Sequence, residues 1–182
     1  MENIISIIKN TTYRPSWDEY FVTVAYLISK RSSCDRLHVG CVLVKDNHIV
    51  STGYNGHISG AHHESFIRDG HEQLTIHSEI NAVADSVKRG VCLNNATAYI
   101  THTPCINCCK ALIASGIKQI FYVEEYKKDN LIDKLCESGN VKLSHLNNIV
   151  PEKLETKPKE NTLDKPLEEG VYDTMYFRFN CY

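Results

Sequence analysis

The sequence predicts an α/β domain: a three-layer α-β-α sandwich built on about five strands of one mixed sheet, with helices on both faces. Three observations predict it. Segments with apolar residues at helical spacing alternate along the chain with short, nearly continuous apolar runs. Two of those runs are joined by a tight Asp46-Asn47 turn, whereas the others are separated by helix-length segments. A hairpin therefore adjoins strands linked through crossover helices. The 182 residues are 42% hydrophobic, which suits the core of one ordinary domain.

Ser16 followed by Glu19 forms a capping box before Trp17, Phe21, Val24 and Ile28, so the first helix spans 16–31 and ends near Lys30-Arg31. Residues 39–44 are a nearly all-apolar strand, and 48–52 return after the turn. Gly53-Tyr54-Asn55-Gly56 closes the hairpin as a loop. Residues 57–75 are polar, rich in His and Gly, and without a period; they read as an irregular excursion. The next helix covers 78–88, with Ile80, Val83, Ala84 and Val87 as its buried face and Gly90 at the C-cap position. A strand over 96–101 leads to Pro104, which suits a first helical turn, and to a helix that stops at Gly116. Residues 118–123 are a strand, 131–137 a helix and 141–144 a short strand.

Pro151, Pro158 and Pro166 among many Lys and Glu mark 151–170 as a linker, and 171–179 is aromatic again. The domain is placed at 14–148, followed by a linker and tail over 149–182 that docks on the domain or on a neighbouring subunit. Net charge is −2 with no basic run, which argues against nucleic acid as a partner. No run of 18 apolar residues marks a membrane span, and the N-terminus lacks the basic region of a secretory signal, so a cytoplasmic protein is expected. Eight cysteines in such a chain fit reduced thiols better than disulfides. The cluster of Cys105, Cys108 and Cys109 points to metal.

His77-Ser78-Glu79 and Pro104-Cys105-Ile106-Asn107-Cys108 form an H-x-E and a P-C-x-x-C motif. His77 lies at the start of one helix, and Cys105 and Cys108 share a face in the first turn of another. Both helices begin at strand ends, so their N-termini converge over one edge of the sheet and favour thiolate over thiol. One imidazole and two thiolates hold Zn²⁺ and leave the fourth position to water, the arrangement of a catalytic rather than a structural site. Glu79 is then free to move protons. Cys109 is an alternative ligand, but it is rotated by about 100° from Cys108 and reads better as a buried small apolar residue.

The two motifs together resemble the signature of the zinc nucleobase deaminases. Four further blocks, Arg14-Pro15-Ser16-Trp17-Asp18-Glu19-Tyr20-Phe21, Lys30-Arg31-Ser32-Ser33-Cys34, Gly53-Tyr54-Asn55-Gly56 and Ser115-Gly116-Ile117-Lys118, resemble the deoxycytidylate (dCMP) deaminases. The resemblance covers residues 14–145. It implies a sandwich of the cytidine deaminase type and hydrolysis of dCMP to dUMP and ammonia, feeding thymidylate synthesis. His77, Cys105 and Cys108 would hold zinc, and Glu79 would be the catalytic proton shuttle. Asn55 would bond the deoxyribose, the backbone at Ser78 (commonly Ala in the family) would read the cytosine carbonyl, and Thr103 would face the exocyclic amine. Arg31 and Tyr126 would take the phosphate end.

The resemblance further implies a homohexamer activated by dCTP and inhibited by dTTP, with Mg²⁺ accompanying such triphosphate effectors. It points to a second, structural zinc at Cys34, His62, His63 and His71, with Glu64 standing where a cysteine would be expected. Deamination of dCTP, with dCMP or instead of it, stays open. The charge balance disfavours a nucleic-acid deaminase, and the retained Glu79 disfavours a non-catalytic zinc domain.

Overall fold

The computed structural model describes residues 4–68, 71–126 and 129–147, and of His71 it describes the backbone alone. The linker and tail expected over 149–182 lie outside the described residues.

A six-residue helix that the sequence did not suggest, α1 (Ile4–Lys9), precedes the domain and buries none of its residues. Ser16 caps α2 (Trp17–Ser29): its hydroxyl accepts the Glu19 N–H at 3.1 Å, and the Glu19 carboxylate accepts the Ser16 N–H at 3.4 Å. The buried face of α2 is Phe21, Val22, Ala25 and Ser29. Trp17 stays half exposed and stacks on Phe21 with ring centroids 5.6 Å apart.

β1 (Gly40–Lys45) and β2 (His48–Tyr54) form the expected hairpin. The region expected as an excursion is irregular over 58–66 and also takes part in two short antiparallel ladders. β3 (Gly56–His57) pairs with β6 (Thr75–Ile76), and β4 (Ile67–Arg68) pairs with β5 (His71–Glu72). Two-residue strands are too short to leave an alternation in the sequence. The remaining elements alternate: α3 (Ser78–Lys88), β7 (Thr97–His102), α4 (Ile106–Ala114), β8 (Gln119–Glu124), α5 (Asn130–Ser138) and β9 (Lys142–His145).

The five long strands form one mixed sheet in the order β2-β1-β7-β8-β9. β1 is antiparallel to both neighbours, and β7, β8 and β9 are parallel. β2, β7, β8 and β9 thus point the same way. Each step between them runs in the same direction across the sheet, and right-handed crossovers then put all three connecting helices on one face. The packing agrees. Cys41, Leu43, Ala98, Ile100 and Ile120 point into a core that also takes Ala82 of α3, Leu112 of α4 and Ile132 of α5. The alternate residues Val42, Val44 and Tyr99 meet Phe21, Val22 and Ala25 of α2 on the other face. Among the described residues no helix is long and apolar enough to cross a membrane.

α3 has the expected bounds but not the expected buried face. Ser78, Glu79, Ala82 and Ser86 are buried, whereas Val87 is 72% exposed and Ala84 lies on the outside. The helix lies so close to β2 that a Cβ on Gly53 would meet the Ser78 carbonyl oxygen at 2.2 Å and the Ala82 nitrogen at 2.4 Å. Only small side chains fit that contact, so the apolar Val87 is turned away.

Candidate active site

The parallel strands all end at the same edge of the sheet, and α3 and α4 begin there. His77 is the N-cap of α3, in extended backbone, and its side chain makes no capping bond. Its ring is left to face α4: His77 Nδ1 lies 3.4 Å from the Cys108 sulfur and 3.6 Å from the Cys105 sulfur. Cys105 sits one position earlier than expected. It is the N-cap of α4, and its sulfur accepts the Cys108 N–H at 3.5 Å. The three ligand atoms all lie within 4.8 Å of one another.

These distances fit zinc. Zn–N bonds of about 2.0 Å and Zn–S bonds of about 2.3 Å at tetrahedral angles put nitrogen and sulfur about 3.5 Å apart. The donor set of one imidazole and two sulfurs also suits that metal. The two thiols are driven apart in acidity. Cys105 is held down to about 3, chiefly by a hydrogen bond from the Cys108 thiol, and Cys108 is pushed up by the same bond and by burial. The hydrogen bond to Cys105 raises His77. Cys109 is fully buried with its sulfur 3.5 Å from that of Cys136, which settles it as a core residue.

Glu79 is 4% exposed and lies in the first turn of α3. Burial pushes its carboxyl up, opposed by a hydrogen bond to its own N–H and by the nearby His77. The Ser78 hydroxyl donates to its carboxylate at 2.9 Å. A carboxyl with a raised proton affinity beside a metal site is suited to carrying protons.

His77, Ser78, Glu79 and Cys105 line a cavity of about 860 Å³, together with Asn55, Thr103 and Tyr126. Asn55 is held by its own amide: Oδ1 accepts the Val39 N–H at 2.7 Å, and Nδ2 donates to the Leu37 carbonyl at 2.6 Å. Thr103 donates its N–H and its hydroxyl to the Glu124 carbonyl at 2.9 and 3.2 Å, and its Oγ1 accepts the Tyr126 N–H at 3.3 Å. Both side chains therefore face the site from fixed positions.

Arg31 is exposed one residue past the C-cap of α2 and is not among the cavity residues. The cationic side chains that line the cavity are Arg36 and Arg68. Sequence reasoning missed both because Arg36 sits in a loop and Arg68 in a two-residue strand, neither of which leaves a period, although the excursion after β2 had to pass over the edge where the site forms. Cys34, His62 and His63, the described side chains of the expected second zinc set, form no metal-type cluster. Among the described residues the only metal-type cluster is His77, Cys105 and Cys108. Cys34 is 5% exposed in the loop after α2. His63 stacks on His57, whose ring nitrogens face Ser33 Oγ at 3.0 Å and the Glu64 carbonyl at 2.9 Å. The side chain of His71 lies outside the described residues.

The sequence family described as the cytidine and deoxycytidylate deaminase zinc-binding region matches residues 15–124. ComE operon protein 2 of Bacillus subtilis is 41% identical over 132 residues, 70% of each chain. The deoxycytidylate deaminase of Schizosaccharomyces pombe is 36% identical over 143 residues, and the match covers 72% of this chain and 44% of that enzyme. The crystal structure of the cyanophage S-TIM5 dCMP deaminase in complex with dCMP and dUMP superposes with a TM-score of 0.66. It is 30% identical and covers 74% of this chain and 99% of that one. The match spans His77, Glu79, Cys105 and Cys108, and the chain belongs to the cytidine and deoxycytidylate deaminase family.

Proposed function

We propose that the protein hydrolyses dCMP to dUMP and ammonia. The observation that carries this reading is one cavity lined by the buried Glu79, by His77 and Cys105 of the metal-type cluster that Cys108 completes, and by two arginines. The names and bound nucleotides of the relatives support it.

Zinc, when held by His77, Cys105 and Cys108, supplies the nucleophile by polarising water near neutral pH. Glu79 takes one water proton and delivers it to the ring nitrogen N3 as the oxygen bonds to C4. It then carries the second proton to the amine. The C4–N bond breaks, ammonia leaves, and the water oxygen remains as the new carbonyl of dUMP. The Ser78 N–H, in the open first turn of α3, is a donor for the cytosine carbonyl. Asn55 Nδ2 has a second hydrogen for the deoxyribose, and the Thr103 wall adjoins the exocyclic amine. Arg36 and Arg68 supply the positive charge that a phosphate needs, and Tyr126 lines the same cavity.

The test is incubation with dCMP and one equivalent of zinc, with dUMP followed by chromatography. Absence of dUMP at every dCTP concentration tried would sink the reading. Competition between dCMP and dCTP at equal concentration measures whether the triphosphate is also a substrate. The homohexamer and its control by dCTP and dTTP with Mg²⁺ belong to the same reading. Sedimentation and initial rates with each effector measure them.

A further inference from the structure

The two-residue ladder of β4 and β5 is too short to stand alone. A two-stranded hairpin is marginal in water even when it is longer, and the apolar residues here are poorly buried: Phe66 is 49% exposed and Ile67 48%. One carboxylate ties its ends together. Glu72 Oε1 accepts the Phe66 N–H at 3.1 Å and the Leu74 N–H at 3.0 Å, and Oε2 accepts the Ser65 hydroxyl. The Gln73 N–H completes the closure on the Phe66 carbonyl at 2.9 Å.

Phe66 immediately precedes β4, two residues before Arg68. The Arg68 guanidinium lies over the Phe66 ring, 5.6 Å from its centroid. Arg68 and Glu72 both line the cavity. A chain of contacts therefore runs from the Glu72 carboxylate through the Phe66 backbone and ring to the Arg68 guanidinium at the cavity wall. We propose that Glu72 is a positioning residue that holds Arg68 for the phosphate of the substrate and so sets the preference for a nucleotide over a nucleoside. The inference rests on the reading of the cavity as a deoxynucleotide site.

The alternative is a Glu72 that only closes a surface loop. Steady-state kinetics of the zinc-loaded protein with dCMP and with deoxycytidine, which lacks the phosphate, separate the two. Glu72→Ala is expected to lower the ratio of kcat/KM for dCMP over deoxycytidine about tenfold, the value of one charge-assisted contact, with the loss entering through KM. Glu72→Gln should recover most of that ratio. Its amide oxygen still accepts the Phe66 and Leu74 N–H groups, and its NH₂ can donate to Ser65. Because Arg68 and Glu72 act as one unit, Arg68→Ala with Glu72→Ala should be no worse than Arg68→Ala alone.

An unchanged ratio in Glu72→Ala, or additive losses in the double variant, would overturn the inference while leaving dCMP deamination intact. If the wild type turns over neither substrate, the functional reading fails and this inference falls with it.

Discussion

Gly53 of β2 lies directly beneath the Ser78 carbonyl of α3, with room for a hydrogen and none for a methyl: a Cβ would stand 2.2 Å from that oxygen. The contact fixes the height of α3 over the sheet, and α3 carries Glu79 and is capped by His77. Gly53→Ala must push the helix away by about 1 Å to reach ordinary van der Waals separation. Overpacking of this kind costs about 1–3 kcal/mol. The shift should harm catalysis more, because a misplacement of about 1 Å in a reacting group costs about a hundredfold. The expected result is a modest fall in Tm and a fall of about a hundredfold in kcat/KM. Wild-type turnover in the variant would show that this contact does not set the site.

Glu79→Gln separates proton transfer from metal binding. The glutamine keeps the size of the side chain and the hydrogen bond with Ser78, which is 2.9 Å in the wild type, but cannot carry a proton at neutral pH. Loss of a positioned acid–base group costs about 10²–10⁴-fold. Here one residue serves several transfers, so turnover should fall by the upper part of that range. Zinc measured by atomic absorption should stay near one per chain, since the ligand triad does not include Glu79. A variant that loses its zinc would make Glu79 a ligand or a structural support instead.

The parts of the site that the sequence made legible are those fixed by short spacing. His77 and Glu79 flank one helix start, and Cys105 and Cys108 span one turn, so local geometry alone brings each pair to a helix end. Short apolar runs also marked β1 and β7 as strands. What sequence could not supply was contact across elements. The buried face of α3 is set by Gly53 on another strand, so Ser78, Ala82 and Ser86 displaced the more apolar Val87. Arg31 is carried by the neat end of α2, yet its position leaves it outside the cavity, and Arg36 and Arg68 reach the cavity from segments without a period.

Removal of zinc should change thiol reactivity in a defined order. Cys34, Cys41, Cys109 and Cys136 are buried. Burial is the first cause that pushes up the Cys41, Cys109 and Cys136 thiols. In the zinc-loaded protein, iodoacetamide should therefore label Cys92 among the described cysteines, because it is exposed and free of metal. After chelation the exposed Cys105, held as thiolate down to about 3, should join it and still react near pH 6. Cys108, buried and protonated, should lag behind. Peptide mass spectrometry before and after chelation reads this order. Equal labelling of Cys105 with and without chelator would remove it from the ligand set.

The acid response of the β4–β5 hairpin follows from Glu72, whose carboxyl is held down to about 2 by hydrogen bonds, first from Ser65 and then from Leu74 and Phe66. A carboxyl with a lowered folded value contributes stability that is fully present above its ordinary value of 4.5 and is lost as pH falls through about 2. The Phe66 and Leu74 amides should therefore keep constant NMR shifts from neutral pH down to about 3.5, a range in which an ordinary glutamate would titrate. Ser65→Ala removes the largest contribution and should make both amides begin to move within that range. Movement of the wild-type amides near pH 4.5 would mean that the Glu72 carboxylate is not bonded to the hairpin in solution, and the hold on Arg68 would lose its anchor.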